Sequence, residues 1–563
     1  MRPRTRRLAG LVAVAGLAFG LAGCGGGPAA PEYSPGLVDC GSRPNVCNGG
    51  PTKRGGTLTA VLPSRIGTWS TAENADAVQP LMGVTPSAFL ANPDGSMSWN
   101  RDLFAKEPRV STSDPHAVVY ELRREALWSD GTSISARDFV FAWKLRNGRD
   151  CPDCSISATT GYDLIKSIEG ARNDRVVTVT FRTPYPDWKN LFFQLYPAHE
   201  AARHGDLGSP GGLRSAHGYF RSNPPTWSGG PYRIARYETD TSVTLVRNSK
   251  WYGRTRPALD QIVYRIVDDP ARQVAALAAG EVDVVTGRPT PELLAAVARV
   301  PTVNHLVRPG PAVERLVVNA ANLHLGDPVL RQAVFTAVDR KALVEPGTSP
   351  LDSPVLLPGR PGYQDLIGGT GLGTGDAGRA RQALADAGYG AGVRLLGRDG
   401  QPLPALRLVF PAGDATRQAA AQTVARQLAA IGLDVVPTPS SSFDTAIRDG
   451  QFELALGEQI ALTLMDQWHS WHTRGGRNWG GTADPELDRL LDELVATLDE
   501  NRQADLLNRV GEIVVREAYE LPLHQRPVFF AVDRAYFNVR PNSTPHGCGY
   551  NVAEWGLRAD ALA

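Results

Sequence analysis

At 563 residues the chain exceeds one ordinary core, because domains run to roughly 100–200 residues, and about three or four domain-sized units are expected. Hydrophobic residues at 42%, charged residues at 21% and a mean hydropathy of -0.22 exclude a disordered or polytopic membrane composition. The 59 basic and 58 acidic side chains leave a net charge of +1, too small a field to gather nucleic acid, so no nucleic-acid partner is expected.

The chain opens with Arg2, Arg4, Arg6 and Arg7, then an apolar run over 8–21 that is shorter than the roughly 20 residues a bilayer span needs. Residues 1–23 therefore read as a signal peptide, ending in Leu21-Ala22-Gly23-Cys24. That tetrapeptide resembles the bacterial lipobox, in which cleavage before the cysteine leaves a lipid-modified amino-terminal Cys24. The expected destination is the outer face of the cell membrane, held there by acyl chains. Pro/Gly-rich residues 24–56 read as a flexible tether, with folding expected to start near Thr57. No later segment reaches 18 consecutive apolar residues. Export permits disulfides, and Cys40 with Cys47 and Cys151 with Cys154 are close enough in sequence to pair, leaving one thiol over. A lone CxxC is also the spacing of redox and zinc sites, but no second pair or thioredoxin-like context accompanies it.

Alternation at 118–123, a turn at Ser129-Asp130-Gly131 and a short run over 132–134 predict a β-hairpin. Ser135 with Asp138 then predicts a capped helix carrying Phe139, Val140 and Trp143. Further strands are expected over 175–181, 243–246 and 262–267. Asp269-Pro270 before an alanine-rich stretch closed by Gly280 places an N-cap, a proline at the first helical position and a glycine terminator in order. A strand over 282–285 completes a β-α-β unit. The same grammar returns as strand 406–410, helix 415–431 closed by Gly432, and strand 433–436. Two α/β lobes with parallel pairing follow. Asp327-Pro328 and Asp484-Pro485 open further helices.

Catalytic motifs are weak. His199-Glu200-Ala201-Ala202-Arg203 misses the second histidine of HExxH by one residue, since His204 lies about 100° round the helix from where a shared zinc needs it. No GxSxG elbow, Walker lysine or strand-linked GxGxxG is present. Trp468, His469, Trp471 and His472, with Asn478 and Trp479 beyond, form an aromatic patch that reads equally as a pocket lining or a core edge. A metal site there lacks an identifiable third ligand.

The run 118–144, VVYELRREALWSDGTSISARDFVFAWK, closely resembles the signature segment of family 5 extracellular solute-binding proteins, the oligopeptide, dipeptide and nickel receptors of ABC importers. Gly229-Gly230-Pro231-Tyr232, the segment 247–252 (RNSKWY), Ala279-Gly280-Glu281-Val282-Asp283, the segment 329–343 (VLRQAVFTAVDRKAL), 385–389 (ADAGY) and 478–488 resemble further family elements in the same order. The resemblance implies an α/β, two-lobed periplasmic-binding-protein-like fold of type II, cluster C-like, with an extra subdomain. Lobe I takes 57–85, 228–312 and 521–563, the subdomain 86–227 and lobe II 313–520. It implies a monomeric, non-enzymatic receptor without a cofactor, taking a small-molecule or peptide ligand to ABC permease subunits. Ligand contacts are expected from Trp69, Asn74, Glu458, Gln459, Asp466, Trp468, His469, Trp471, Asn478 and Trp479. Peptide receptors of the family carry a Trp-x-x-Asp whose carboxylate takes the peptide's ammonium. Aligned from Phe452-Glu453-Leu454-Ala455, Gln459 and Leu462 stand at those places; counted back from Asn478, Ile460 stands there instead, and either way the aspartate is absent, with Glu458 or Asp466 as substitutes on a shifted loop. A metal or metallophore receptor using His469 and His472, another small-metabolite receptor, and a surface enzyme on the same scaffold are the alternatives.

Overall fold

A computed structural model describes residues 34–70, 77–154 and 160–560. Ten strands form one continuous sheet: β1 (Thr57–Leu62), β2 (Tyr232–Glu238), β3 (Ser242–Arg247), β4 (Gln261–Ile266), β5 (Val284–Gly287), β6 (Val303–Val318), β7 (Leu406–Pro411), β8 (Val435–Ser440), β9 (Leu454–Ile460) and β10 (Glu520–Asp533). Their order is β8-β7-β9-β6-β10-β5-β1-β4-β3-β2. The long strands β6 and β10 pair antiparallel along most of their length and belong to both halves. One half hangs on β5 and β1, the other on β9 and β7, so among the described residues the sheet passes between two lobes through these two strands. The pairing register shifts between Pro309 and Val313 and again between Glu314 and Arg315.

Both β-α-β units form. Asp269 caps helix Pro270–Ala278 by accepting from the Arg272 amide, and Gly280 ends it at φ +68. Strands β4 and β5 both run parallel to β1, which lies between them. In the other lobe β7 and β8 pair directly and parallel around helix α1 (Ala415–Ala429). Leu408, Leu454, Leu456 and Val424 close the core beneath them.

The expected hairpin forms differently. Strand His116–Glu121 pairs with Arg109–Ser113 and Val176–Phe181, not with 132–134, which make only a bridge between Leu127 and Ser133. Trp128, wholly buried edge-on against Trp227, fills the space beside the turn and keeps the two runs apart. The following helix, Ala136–Arg146, starts as predicted, with Asp138 accepting from the Ser135 amide at 2.7 Å. These elements and a four-stranded antiparallel sheet make the subdomain, with its own core around Tyr120, Phe139 and Phe192.

The tether is also corrected. From Ser34 the chain is folded onto lobe I: Leu37, Cys40 and Cys47 are buried, and Thr52–Lys53 pairs with Gly556–Arg558. Three apolar side chains sunk in the lobe core hold this segment despite its Pro/Gly content. Cys40 is bonded to Cys47 and Cys151 to Cys154, while Cys548 is a buried free thiol. Cys24 lies outside the described residues. Among the described residues no helix is long and apolar enough to cross a membrane.

Candidate functional site

The lobes meet through charged groups. Arg288, just past β5, donates Nη2 to both Glu458 oxygens on β9 at 2.6 Å. Glu458 also receives Arg417 Nη2 at 3.1 Å and lies 3.5 Å from Arg526 Nε. Behind it, Glu314 on β6 is the register partner of both Glu458 and His524, and Arg417 grips it through Nε and Nη2, each at 2.9 Å. Arg526 reaches Glu345 at 3.0 Å and Asp414 at 3.7 Å. Burial alone pushes the Glu345 carboxyl up, but the His524 hydrogen bond and the Arg526 charge outweigh it and hold it below the usual range. Three guanidiniums thus face four carboxylates in one compact network.

Farther out, the subdomain turn Pro186–Asn190 docks on lobe II. Asp187 accepts from the amides of Leu464 at 3.2 Å and Met465 at 2.9 Å, the first residues of α2 (Leu464–Trp471). Lys189 lies 3.4 Å from Glu500, the first residue of α4 (Glu500–Arg516; α3 is Pro485–Ala496). Arg360 of lobe II donates to the Gly95 carbonyl at 2.5 Å.

Most of the expected contact residues gather on β9, α2 and the turn after it, but largely hold the protein's own structure. Gln459 is buried, accepts from Arg315 at 3.2 Å and donates to Ser470. Asp466 caps α2 by accepting from Leu462 and Thr463 amides and is paired with Arg477. Trp468 donates to Asp492 and stacks on His472, 4.3 Å between ring centres. Trp471 is buried against Gln467, with the Arg315 guanidinium 5.8 Å above its ring. His469 is half-buried, and burial first, then the Arg477 charge, push its imidazole pKa down. Asn478 ties the turn to Thr482, and Trp479 packs edge-on against Phe443. His472 sits 3.6 Å from Asp488 and 3.4 Å from Asp492, turned from His469; among the described residues no cluster of three metal-ligating side chains includes either histidine.

On the other lobe Trp69 is buried edge-on against Tyr237, beside a cavity of about 20 Å³ at Ser70 and Gln194, room for about one water. Asn74 lies outside the described residues.

Asp187, Arg288, Glu314, Arg417 and Arg526 escaped the sequence reading. Two left a trace. Arg417 is the third residue of α1, where the helix dipole disfavours a cation, and Glu314-Arg315 puts adjacent charges, one to each face, in the otherwise apolar last part of β6 over 309–318. Asp187 left none.

A sheet shared by two lobes, with a cluster of paired charges beside the strands that cross between them, is the architecture of a two-lobed binding protein. The model of the bacterial extracellular solute-binding proteins, family 5, middle region, matches residues 102–481. The chain belongs to that family, and it is a solute-binding receptor of the kind that serves ABC importers. It is 30% identical over 483 residues to the oligopeptide-binding protein OppA of Mycobacterium tuberculosis, covering 82% of this chain and 77% of that one. An uncharacterized lipoprotein of the same organism is 25% identical over 513 residues, 83% and 86% of the two chains. The periplasmic EDTA-binding protein EppA superposes with a TM-score of 0.84 at 31% identity, over 92% of this chain and 99% of that one. AppA of Bacillus subtilis, solved with a nonapeptide, shares the fold at a TM-score of 0.70 and 18% identity, over 90% and 100%.

Proposed function

We propose that the protein is a lipid-anchored receptor, exported and held through Cys24, that captures a peptide-like ligand between its lobes and hands it to an ABC permease without chemical change. Lobe I is assigned to 57–85, 228–312 and 521–563 with the preceding folded segment, the subdomain to 86–227 and lobe II to 313–520. Similarity to an oligopeptide-binding protein along most of both chains supports the peptide class.

The observation that shapes the ligand is the state of the two carboxylates nearest the family's ammonium position. Glu458 is held by guanidiniums of Arg288 and Arg417, and Asp466 by α2 and Arg477. A ligand ammonium brought there would have to break an existing pair or stay uncompensated, at a cost of several kcal/mol. The reading is therefore of amine-blocked, cyclic or otherwise modified peptides. A thermal-shift comparison of matched free-amine and N-acetylated peptides tests it. Acetylated members are expected to raise the melting temperature more, and a preference for the free amine would overturn the amine-blocked class.

A second reading, small polycarboxylate chelates, is favoured by similarity to an EDTA-binding protein and by three guanidiniums converging near Glu458. Adding EDTA with and without Fe(III) to the same screen separates the two.

A further inference from the structure

Asp187, at the contact between the subdomain turn and α2, is an acid with no cation paired to it among the described residues. Asp187 is buried between the subdomain turn and the start of α2, and its oxygens meet only the Leu464 and Met465 amides. Its surroundings among the described residues give no compensating charge. On its own turn Lys189 points to Glu500, and Tyr185 is a neutral phenol whose pKa burial pushes well above its usual value. On α2 the nearest ionised group is Asp466, another carboxylate, with Arg477 already paired to it; His469, beyond, has its imidazole pKa pushed down. Asp163 acts on Tyr185 and His469 from the side and is also acidic.

We propose that Asp187 couples closing of the two lobes to the uptake of one proton, so that the closed form gains over the open one as the surroundings become mildly acidic. This rests on the reading that the lobes part and close around a ligand. When they part, Asp187 loses the α2 amides and enters water, where a carboxyl titrates near its ordinary 3.8. In the closed form burial pushes it up to about 6, more than the two amide bonds and despite their opposing pull, with the Asp466 charge adding to the rise. The closed form thus binds the proton more tightly. Linkage then requires that acid favour closure, and that the advantage be lost as pH rises through about 6. Between pH 7.5 and 5 the closed-to-open ratio should rise about tenfold.

The test needs no ligand. Spin labels at Lys106→Cys in the subdomain and Arg489→Cys in lobe II, both exposed, report the distance between the two parts by pulsed electron resonance. The expected result is two distance populations whose ratio shifts about tenfold toward the short one from pH 7.5 to 5, and an Asp187→Asn variant that stays near the acid-side ratio throughout. His469→Gln, a second variant that leaves Asp187 in place, should keep the tenfold shift. The proposal is overturned if the parent shows no pH dependence, if Asp187→Asn responds like the parent, or if His469→Gln abolishes the response. A single fixed distance at every pH would overturn the capture reading as well, whereas two populations insensitive to pH would overturn the proton coupling alone.

Discussion

Arg288 and Glu458 join the two halves of the sheet, one guanidinium nitrogen lying 2.6 Å from both carboxylate oxygens. Arg288 is half exposed and Glu458 keeps Arg417 when Arg288 is gone, so solvent screening makes this a weak contributor to folding and a stronger one to lobe position. Arg288→Ala should lower unfolding free energy by no more than about 1 kcal/mol in urea titrations. It should also enlarge the radius of gyration measured by X-ray scattering at low salt, with the difference from wild type fading at high salt. A loss of stability with unchanged dimensions would show that the pair supports the fold and not the closed arrangement.

A pair on the other face of the sheet, next to Glu314 along β6, behaves otherwise. Arg315 and Glu520 are both buried, 2.9 Å apart, and Gln459 and the Trp471 ring also lie against the guanidinium. Burial pushes the Glu520 carboxyl up and the Arg315 charge pulls it back. Removing one partner strands a buried charge. Arg315→Met alone should cost about 3–5 kcal/mol, and Arg315→Met with Glu520→Met should recover most of that. A double-mutant cycle by chemical denaturation measures the recovery. Additive losses would mean that the two charges do not depend on each other.

How much of this was readable in the chain depends on how local each signal is. Asp269-Pro270 and Gly280 fix a helix from within a dozen residues, the strand before it alternates and the one after it is a short apolar run, so the lobes were legible. The aromatic patch was not, because an indole or imidazole has the same letter whether it lines a pocket or, like Trp468, braces α2 against Asp492 on α3. The cleft charges were hidden for another reason. Glu458 draws its guanidiniums from 170 and 41 residues away, and pairing across such separations leaves no mark in local sequence beyond the misplaced charge at Arg417. The segment after Ser34 was misread because composition reports backbone freedom, while Leu37, Cys40 and Cys47 report what is buried.

That segment gives the third prediction. A chain shortened to begin at Thr57 removes Leu37, Cys40 and Cys47 from the lobe I core and takes away one of the two strand partners of Gly556–Arg558. Losing one buried leucine alone costs about 2–5 kcal/mol, so the shortened protein should melt several degrees lower, measured by differential scanning calorimetry. The double replacement Cys40→Ser with Cys47→Ser opens a loop of seven-residue separation and should cost about 2 kcal/mol. An unchanged melting temperature on truncation would return the segment to the role of a tether.

The last prediction concerns acid and is set by His546. Its Nδ1 accepts from the Ala91 amide at 2.9 Å and its ring stacks on Phe193 at 4.4 Å, so the fold holds it neutral. Burial pushes its pKa down to about 4, against an ordinary 6.5 for the unfolded chain. The unfolded state therefore takes up the proton first, and stability is lost as pH falls from 6.5 toward 4, by at most about 3 kcal/mol. Asp138, Asp187 and Asp283 pull the other way. Burial pushes each up to about 6, so their contribution is present in acid and lost as pH rises through that value. The whole-protein curve is the sum and conceals both. Replacing His546 by Gln keeps an acceptor for the Ala91 amide without a titrating ring. Subtracting its unfolding free energies from those of the wild type at each pH should leave a curve flat above about pH 7 and falling below 6.5. A difference that does not change between pH 7 and 4 would mean that His546 is charged in the folded protein or reaches water.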